Sequence, residues 1–269
     1  MLEKTLAVSS GKGGVGKTFF SVNFALELSY RGYKVLIFDL DFNFSNVFLL
    51  LDVKPENRFQ NYFEGSIPLA QAVIPTKYKN LDIISAGVDI NSFFRNSGNS
   101  ERAGRLGSDF SALKPGYDFI IIDCGAGVNG IMLEFFRLSD EIILVCNHEI
   151  TSLTDLYRII KLLSSALGRT RINLLINKVR NIDFAVNLFR EIQKVVERFR
   201  LGTELFLLGP VVACEDEVSL SVQKRVPHIE LFPHSPIKGG IALAVQRYLF
   251  SCGLQNTPAA GNQSMIGLF

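Results

Sequence analysis

The chain has 269 residues, 48% of them hydrophobic and 20% charged, with 28 basic against 26 acidic side chains for a formal charge of +2. That balance belongs to a folded globule with a sizeable core and excludes a disordered chain. Near-neutrality gives no case for a nucleic-acid-binding surface, and no apolar run approaches the length of a membrane span, so neither a signal peptide nor a transmembrane helix is expected.

TLAVSS, Thr5 to Ser10, reads as a buried strand. It runs straight into GKGGVGKT, Gly11 to Thr18, which fits the phosphate-loop pattern Gly-x-x-x-x-Gly-Lys-Thr with Gly11, Gly16, Lys17 and Thr18 in the fixed places. FFSVNFALELSYRG then reads as a helix, completing the strand–loop–helix context that such a motif requires. Gly13, Gly14 and Gly16 lack Cβ atoms, so the backbone of Gly11, Lys12, Gly13, Gly14, Val15, Gly16, Lys17, Thr18 and Phe19 can turn successive N–H groups toward a polyphosphate at the helix N-terminus. Lys17 is expected to reach the β- and γ-phosphates and the Thr18 hydroxyl to ligate Mg²⁺.

Further strands are predicted at Lys34 to Asp39, Leu81 to Ser85, Tyr117 to Gly125, Glu141 to Cys146, Arg171 to Lys178 and Leu205 to Val212. They are near-continuous apolar runs, as strands buried on both faces are. Helical spacing appears over Thr151 to Leu167 and Asn181 to Arg200. In the second, Ala185, Leu188, Phe189, Ile192, Val195, Val196 and Phe199 form one stripe. Ile90 to Ser108, rich in Ser, Asn, Gly and Arg, reads as a polar loop. The alternation predicts an α/β fold: a mostly parallel central sheet with helices on both faces, in a single domain over residues 1–251, followed by a tail at 252–269.

Nucleotide chemistry in such a sheet lies beyond the carboxyl ends of the strands, where Asp39, Asp41 and Asp123 fall. Asp123, closing an apolar strand, is the candidate to hold Mg²⁺ through water, and Asp39 to support the metal. Asp41 is the candidate to orient the attacking water, a role worth about 10²–10⁴ in rate. The four cysteines, Cys124, Cys146, Cys214 and Cys252, form no Cys-x-x-Cys pair, so reduced thiols are the default. His148, His228 and His234 are scattered and read as surface or loop residues.

Lys12, a second lysine directly after the first glycine, resembles the signature of the deviant phosphate loop in the MinD/ParA group of ATPases. The blocks SSGKGGVGKT, LIFDLDFNFSNV, IIIDCGAG, NHEITSLTDLYRIIKLL, LLINKV and VPHIELFPHSP follow the order of that family over nearly the whole chain. Gly125 to Gly127 and Thr151 to Tyr157 look more like its flagellar FlhG branch. The resemblance implies a P-loop NTPase fold that binds Mg-ATP, hydrolyses it slowly, and forms an ATP-bound homodimer in which Lys12 contacts the partner's nucleotide. It implies a water-orienting role for Asp41, a metal role for Asp123, adenine reading by Asn177, and a place near the dimer or partner face for Glu149 and Asp155. A regulatory protein of the flagellum or division site is the implied partner, and the expected location is cytoplasmic or at the inner membrane surface. A ParA-like cargo or DNA positioner is the alternative.

The sequence departs from the family pattern in four places. His148 stands where Pro is frequent, and Val211–Cys214 replace the usual Ile-Pro-x-Asp. Only a few residues precede the first strand, so no FlhF-activating segment is expected. Cys252 to Phe269 contains no charged residue, which removes the roughly 1 kcal/mol per basic residue that attracts a tail to anionic lipid, although Met265, Ile266, Leu268 and Phe269 offer apolar side chains to a membrane.

Overall fold

The computed structural model describes residues 2–40, 47–54, 58–85, 100–127 and 130–254. The order of elements is β1 (Lys4–Ser10), α1 (Lys17–Tyr30), β2 (Val35–Leu40), α2 (Val47–Leu50), α3 (Phe59–Phe63), β3 (Ile74–Pro75), β4 (Leu81–Ser85), α4 (Ser100–Leu113), β5 (Phe119–Ala126), α5 (Gly130–Leu138), β6 (Glu141–Cys146), α6 (Ile150–Leu167), β7 (Arg171–Val179), α7 (Ile182–Arg198), β8 (Glu204–Val212), α8 (Glu215–Lys224), α9 (His228–Leu231) and α10 (Pro236–Ser251).

The strands form one sheet in the order β3-β4-β2-β5-β1-β6-β7-β8, parallel throughout except for the short β3–β4 pair. The predicted strands are all present, within two residues at each end. Two cores sandwich the sheet. One face is covered by an aromatic cluster in which Phe38 meets Phe59 at 4.6 Å and Phe135 at 5.2 Å. On the other face α1 is buried nearly all round, with Phe24 against Phe20 at 5.1 Å and Tyr248 of α10 at 6.0 Å. α10 lies so close to β8 that a Cβ on Gly240 would meet the Pro210 carbonyl oxygen at 2.6 Å.

Local chemistry sets the helix ends. Asn181 caps α7 by accepting from the Phe184 N–H at 2.8 Å, and Ser235 caps α10 by accepting from the Ile237 N–H at 3.1 Å. Gly168, at φ 60°, ends α6 in the left-handed region.

Three readings of the sequence need correction. The polar stretch Ile90 to Ser108 is not loop throughout, because α4 begins at Ser100; residues 86–99 lie outside the described residues. Leu106 and Phe110, four apart on α4, are both buried, and that pair anchors an otherwise polar helix. The α7 stripe is narrower than its pattern suggests: Ala185, Ile192 and Val196 are buried, but Val195 and Phe199 are 40% and 55% exposed. His228 is fully buried rather than superficial, with Nε2 at 2.8 Å from Glu217 Oε2, and Ser235 Oγ donates to the same oxygen at 2.5 Å.

Burial pushes the His228 pKa below its ordinary value, against the upward pull of Glu217. On acidification the unfolded chain therefore takes up this proton before the folded one does. The stability it confers is full above the unfolded pKa of about 6.5 and is lost as pH falls below it. Urea midpoints should drop between pH 7.5 and 5.5 in the native protein and drop less in His228→Leu.

Candidate nucleotide-binding site

β1 is the middle of the parallel sheet, flanked by β5 and β6, and the phosphate loop leaves its carboxyl end. That is the switch point where the crevice of an open α/β sheet lies. Gly14 and Gly16 take φ of 77° and 94°, a left-handed region that side chains rarely adopt. The loop is also hemmed in. A Cβ on Gly11 would sit 2.5 Å from the Asp155 backbone carbon of α6, and one on Gly16 would sit 2.3 Å from Asn177 Nδ2. Lys17, the first residue of α1, is only 6% exposed. A buried lysine of this kind at a helix N-terminus, below a nest of glycine amides, fits a polyphosphate.

Asp39 and Asp123 stand opposite one another in the β2–β5 register, and both are fully buried. Two carboxylates side by side in a low-dielectric interior call for a cation. Ser21 Oγ donates to Asp123 Oδ1 at 2.8 Å. Thr18 lies three residues before Ser21 on α1, about one helical turn away. Thr18, Asp39 and Asp123 would offer only oxygen donors, the ligand type that suits Mg²⁺. Burial, with Asp123 adding to it, pushes the Cys124 thiol up, while Lys17 opposes them. Cys124 is thus an inert core thiol next to the site.

Lys12 stands at the exposed rim. Its Nζ is 2.5 Å from Glu149 Oε2 and donates to Thr151 Oγ1 at 3.0 Å. Glu149 stands at the N-cap position of α6 without a side-chain capping bond, and it accepts from Asn147 Nδ2 at 2.8 Å. The Lys12 hydrogen bond, then that of Asn147, holds the Glu149 carboxyl below the usual carboxylate range. Ile150, the next residue, is 82% exposed.

Asn177, two residues before the end of β7, lies beside the loop: Nδ2 donates to the Val15 carbonyl at 2.8 Å and Oδ1 accepts from the Lys178 N–H at 2.9 Å. One amide hydrogen remains for another acceptor. Asp155 lies under Gly11, with its carboxylate 2.9 Å from Arg158. The Phe19 ring packs on His228, with centroids 5.6 Å apart. Asp41 lies outside the described residues.

The structure sets Asp39 and Asp123 in register on neighbouring strands and Asn177 against the loop; sequence analysis expected Lys12, Glu149 and Asp155 at a dimer or partner face without pairing Lys12 with Glu149. It missed Ser21, Thr151 and Lys178. Ser21 could have been found as one helical turn beyond Thr18. The other two carry no local signal.

The family model described as an AAA domain matches residues 3–176. Antiactivator FleN of Pseudomonas aeruginosa is 34% identical over 232 residues, covering 86% of this chain and 81% of that protein. The flagellum site-determining protein YlxH of Helicobacter pylori is 28% identical over 210 residues, covering 77% of this chain and 69% of that protein. Among solved structures, the septum site-determining protein MinD from Pyrococcus horikoshii OT3, complexed with Mg-ADP, superposes with a TM-score of 0.74 at 25% identity, covering 93% of this chain and 97% of that one.

Gly11→Ala should drive a methyl group into the α6 backbone. The expected cost is about 1–3 kcal/mol of stability, as for overpacking in a core, together with loss of Mg-ADP binding. Thermal melting and calorimetric titration check both.

Proposed function

The chain belongs to the MinD/ParA family of ATPases, close to its FleN/FlhG branch, and from that premise we propose that it is a dimerising switch whose output is the placement or number of flagella. The observation that carries the reading is Lys12. The loop needs one lysine for its own phosphates and has Lys17 for that, yet it carries a second at its outer rim. Lys12 is 39% exposed there, and its contacts are with Glu149 and Thr151, beside the strongly exposed Ile150. A rim ammonium of this kind is suited to the nucleotide of a second copy facing it.

In this reading the loop N–H groups and Lys17 hold the β- and γ-phosphates. Thr18, Asp39 and Asp123 would hold Mg²⁺, directly or through water, and when bound it would supply positive charge to the phosphate oxygens. Asp41 orients a water for in-line attack on the γ-phosphorus. The bond to the β–γ bridging oxygen breaks, the water's proton leaves through Asp41, and ADP and phosphate are released. Asn177 gives its remaining amide hydrogen to the adenine edge. Lys12 cannot serve a partner's phosphates while Glu149 holds it, so ATP binding and dimer formation compete with this ion pair. Glu149 and Asp155, both at the α6 end nearest the loop, then belong to the partner face.

Dimer formation presents a joint surface to a regulatory protein, and hydrolysis, slow until that protein engages, withdraws it. Among the described residues no helix is long and apolar enough to cross a membrane. The proposed site of action is the cytoplasm and its membrane boundary, where the uncharged tail 252–269 is the candidate contact. The division site is the second reading, supported by the putative septum site-determining protein MinD of Oltmannsiellopsis viridis, 34% identical over 230 residues, covering 83% of this chain and 68% of that protein.

Light scattering tests the switch. Asp41→Ala should shift from monomer to dimer mass with Mg-ATP but not with ADP, and adding Lys12→Ala should abolish the shift. Lys17→Ala should bind no nucleotide. An Asp41→Ala variant that still hydrolyses ATP at the native rate would remove Asp41 from the mechanism.

Glu149→Gln, which keeps the side-chain shape and loses the charge, should lower the protein concentration at which the ATP dimer forms. A dimer that forms no more readily in Glu149→Gln would show that the ion pair does not oppose assembly.

A further inference from the structure

Lys178 combines features that nothing in the site described so far requires. It is a non-glycine residue at φ 56°, in the left-handed region that disfavours a Cβ-bearing residue. Its backbone N–H donates to the Asn177 side-chain oxygen at 2.9 Å. Its ammonium crosses to the phosphate loop and donates to the Gly14 carbonyl at 2.9 Å. Backbone in this region persists where its surroundings hold it, and such positions cluster at functional sites.

The geometry assigns Lys178 as a positioning residue for the phosphate loop, acting through the peptide plane between Gly14 and Val15. A trans peptide is planar, so its C=O and N–H point opposite ways. Drawing the Gly14 carbonyl toward Lys178 turns the Val15 N–H away from it, to the inner side of the loop. Asn177 does the same one plane further on: Nδ2 holds the Val15 carbonyl, and the Gly16 N–H is turned inward. Two consecutive residues at the end of β7 thus set two consecutive peptide planes of the nest. The positive φ at Gly14 and Gly16 is what lets these planes take that orientation. The left-handed turn at Lys178 follows directly after Asn177, whose side chain is committed to Val15, and from there the long lysine stem reaches Gly14.

The charge environment agrees with this arrangement. Glu149 and Lys12 occupy the same rim, and Lys178 is among the groups that lower the Glu149 carboxyl. The Lys178 ammonium nevertheless donates to an uncharged carbonyl, while Glu149 is taken by Lys12. Lys178 therefore gives its hydrogen bond to the loop itself and influences the carboxylate only through its charge.

This inference rests on the nucleotide reading of the same site, and it predicts where the binding energy is lost. Inward-turned loop amides serve the β-phosphate, so a neutral Lys178 should weaken ADP more than AMP. The experiment is calorimetric titration of the full chain with Mg-ADP and with AMP, for native protein, Lys178→Met, Lys178→Arg and Lys178→Gly, with melting temperatures of the ligand-free proteins. Lys178→Met should lose about tenfold in ADP affinity, near 1.4 kcal/mol and in the range of one hydrogen bond to a charged group. Its AMP affinity should stay close to native. Lys178→Arg, which keeps a cationic donor, should recover most of the loss. Lys178→Gly, which relieves the backbone but lacks the donor, should bind ADP as poorly as Lys178→Met while melting no lower than native.

Native-like ADP binding by Lys178→Met would overturn the assignment. So would an equal loss toward ADP and AMP, or a loss in Lys178→Arg as large as in Lys178→Met. Failure of the native protein to bind ADP at all would instead overturn the nucleotide reading, and this inference with it.

Discussion

Everything in this site depends on how tightly the turn after β1 is confined. α6 closes it on one side, where Asp155 leaves no room for a Cβ on Gly11, and the end of β7 closes it on the other, where Asn177 leaves none on Gly16. Inside that gap the chain must reverse from strand to helix and keep its amides facing inward. Only residues free to enter the left-handed region do this without strain, which is why glycine stands at positions 14 and 16. The confinement comes from the sheet order: β6 and β7 lie in succession beside β1, so the helix and loop that follow them converge on the turn.

The electrostatics follow from the same placement. β5 and β2 bring Asp123 and Asp39 into register at full burial, an arrangement costly for two negative charges and suited to a cation. Lys17 contributes a buried positive charge at the start of α1, and Ser21, one turn on, fixes the direction of one Asp123 oxygen. The start of α1 thus serves both signs of charge: its amide end faces anions, and the Ser21 hydroxyl serves the carboxylate.

At the rim the balance is softer. The Lys12–Glu149 pair is partly exposed on both sides, and exposed pairs of this kind contribute little net stability. A weak pair suits a group that has to change partners, since a nucleotide polyphosphate offers more negative charge than one carboxylate. Lys178 behaves differently, because it gives its charge to a backbone carbonyl and its own backbone is held in a costly conformation. The two rim lysines therefore divide the work, with Lys12 exchangeable and Lys178 committed to the shape of the loop.

The sequence by itself determined the parallel sheet, the phosphate loop and the carboxylates at the strand ends, because these are local patterns. An apolar run of strand length, a glycine spacing and an acid closing a strand are each written within a few residues. It also pointed to Asn177 and to the helix bearing Glu149 and Asp155, through the order of the family's blocks. Tertiary structure alone decided which of these groups meet. Lys12 and Glu149 are 137 residues apart, Ser21 and Asp123 are 102 apart, and Lys178 and Gly14 are 164 apart, so no local period records their contact. The same holds for His228, whose burial depends on Phe19, Phe232 and Glu217 closing around it, and for α4, where two apolar residues four apart outweigh a polar composition. Patterns name the groups that have the right chemistry, and only packing across the sheet decides which of them face the same few ångströms of space.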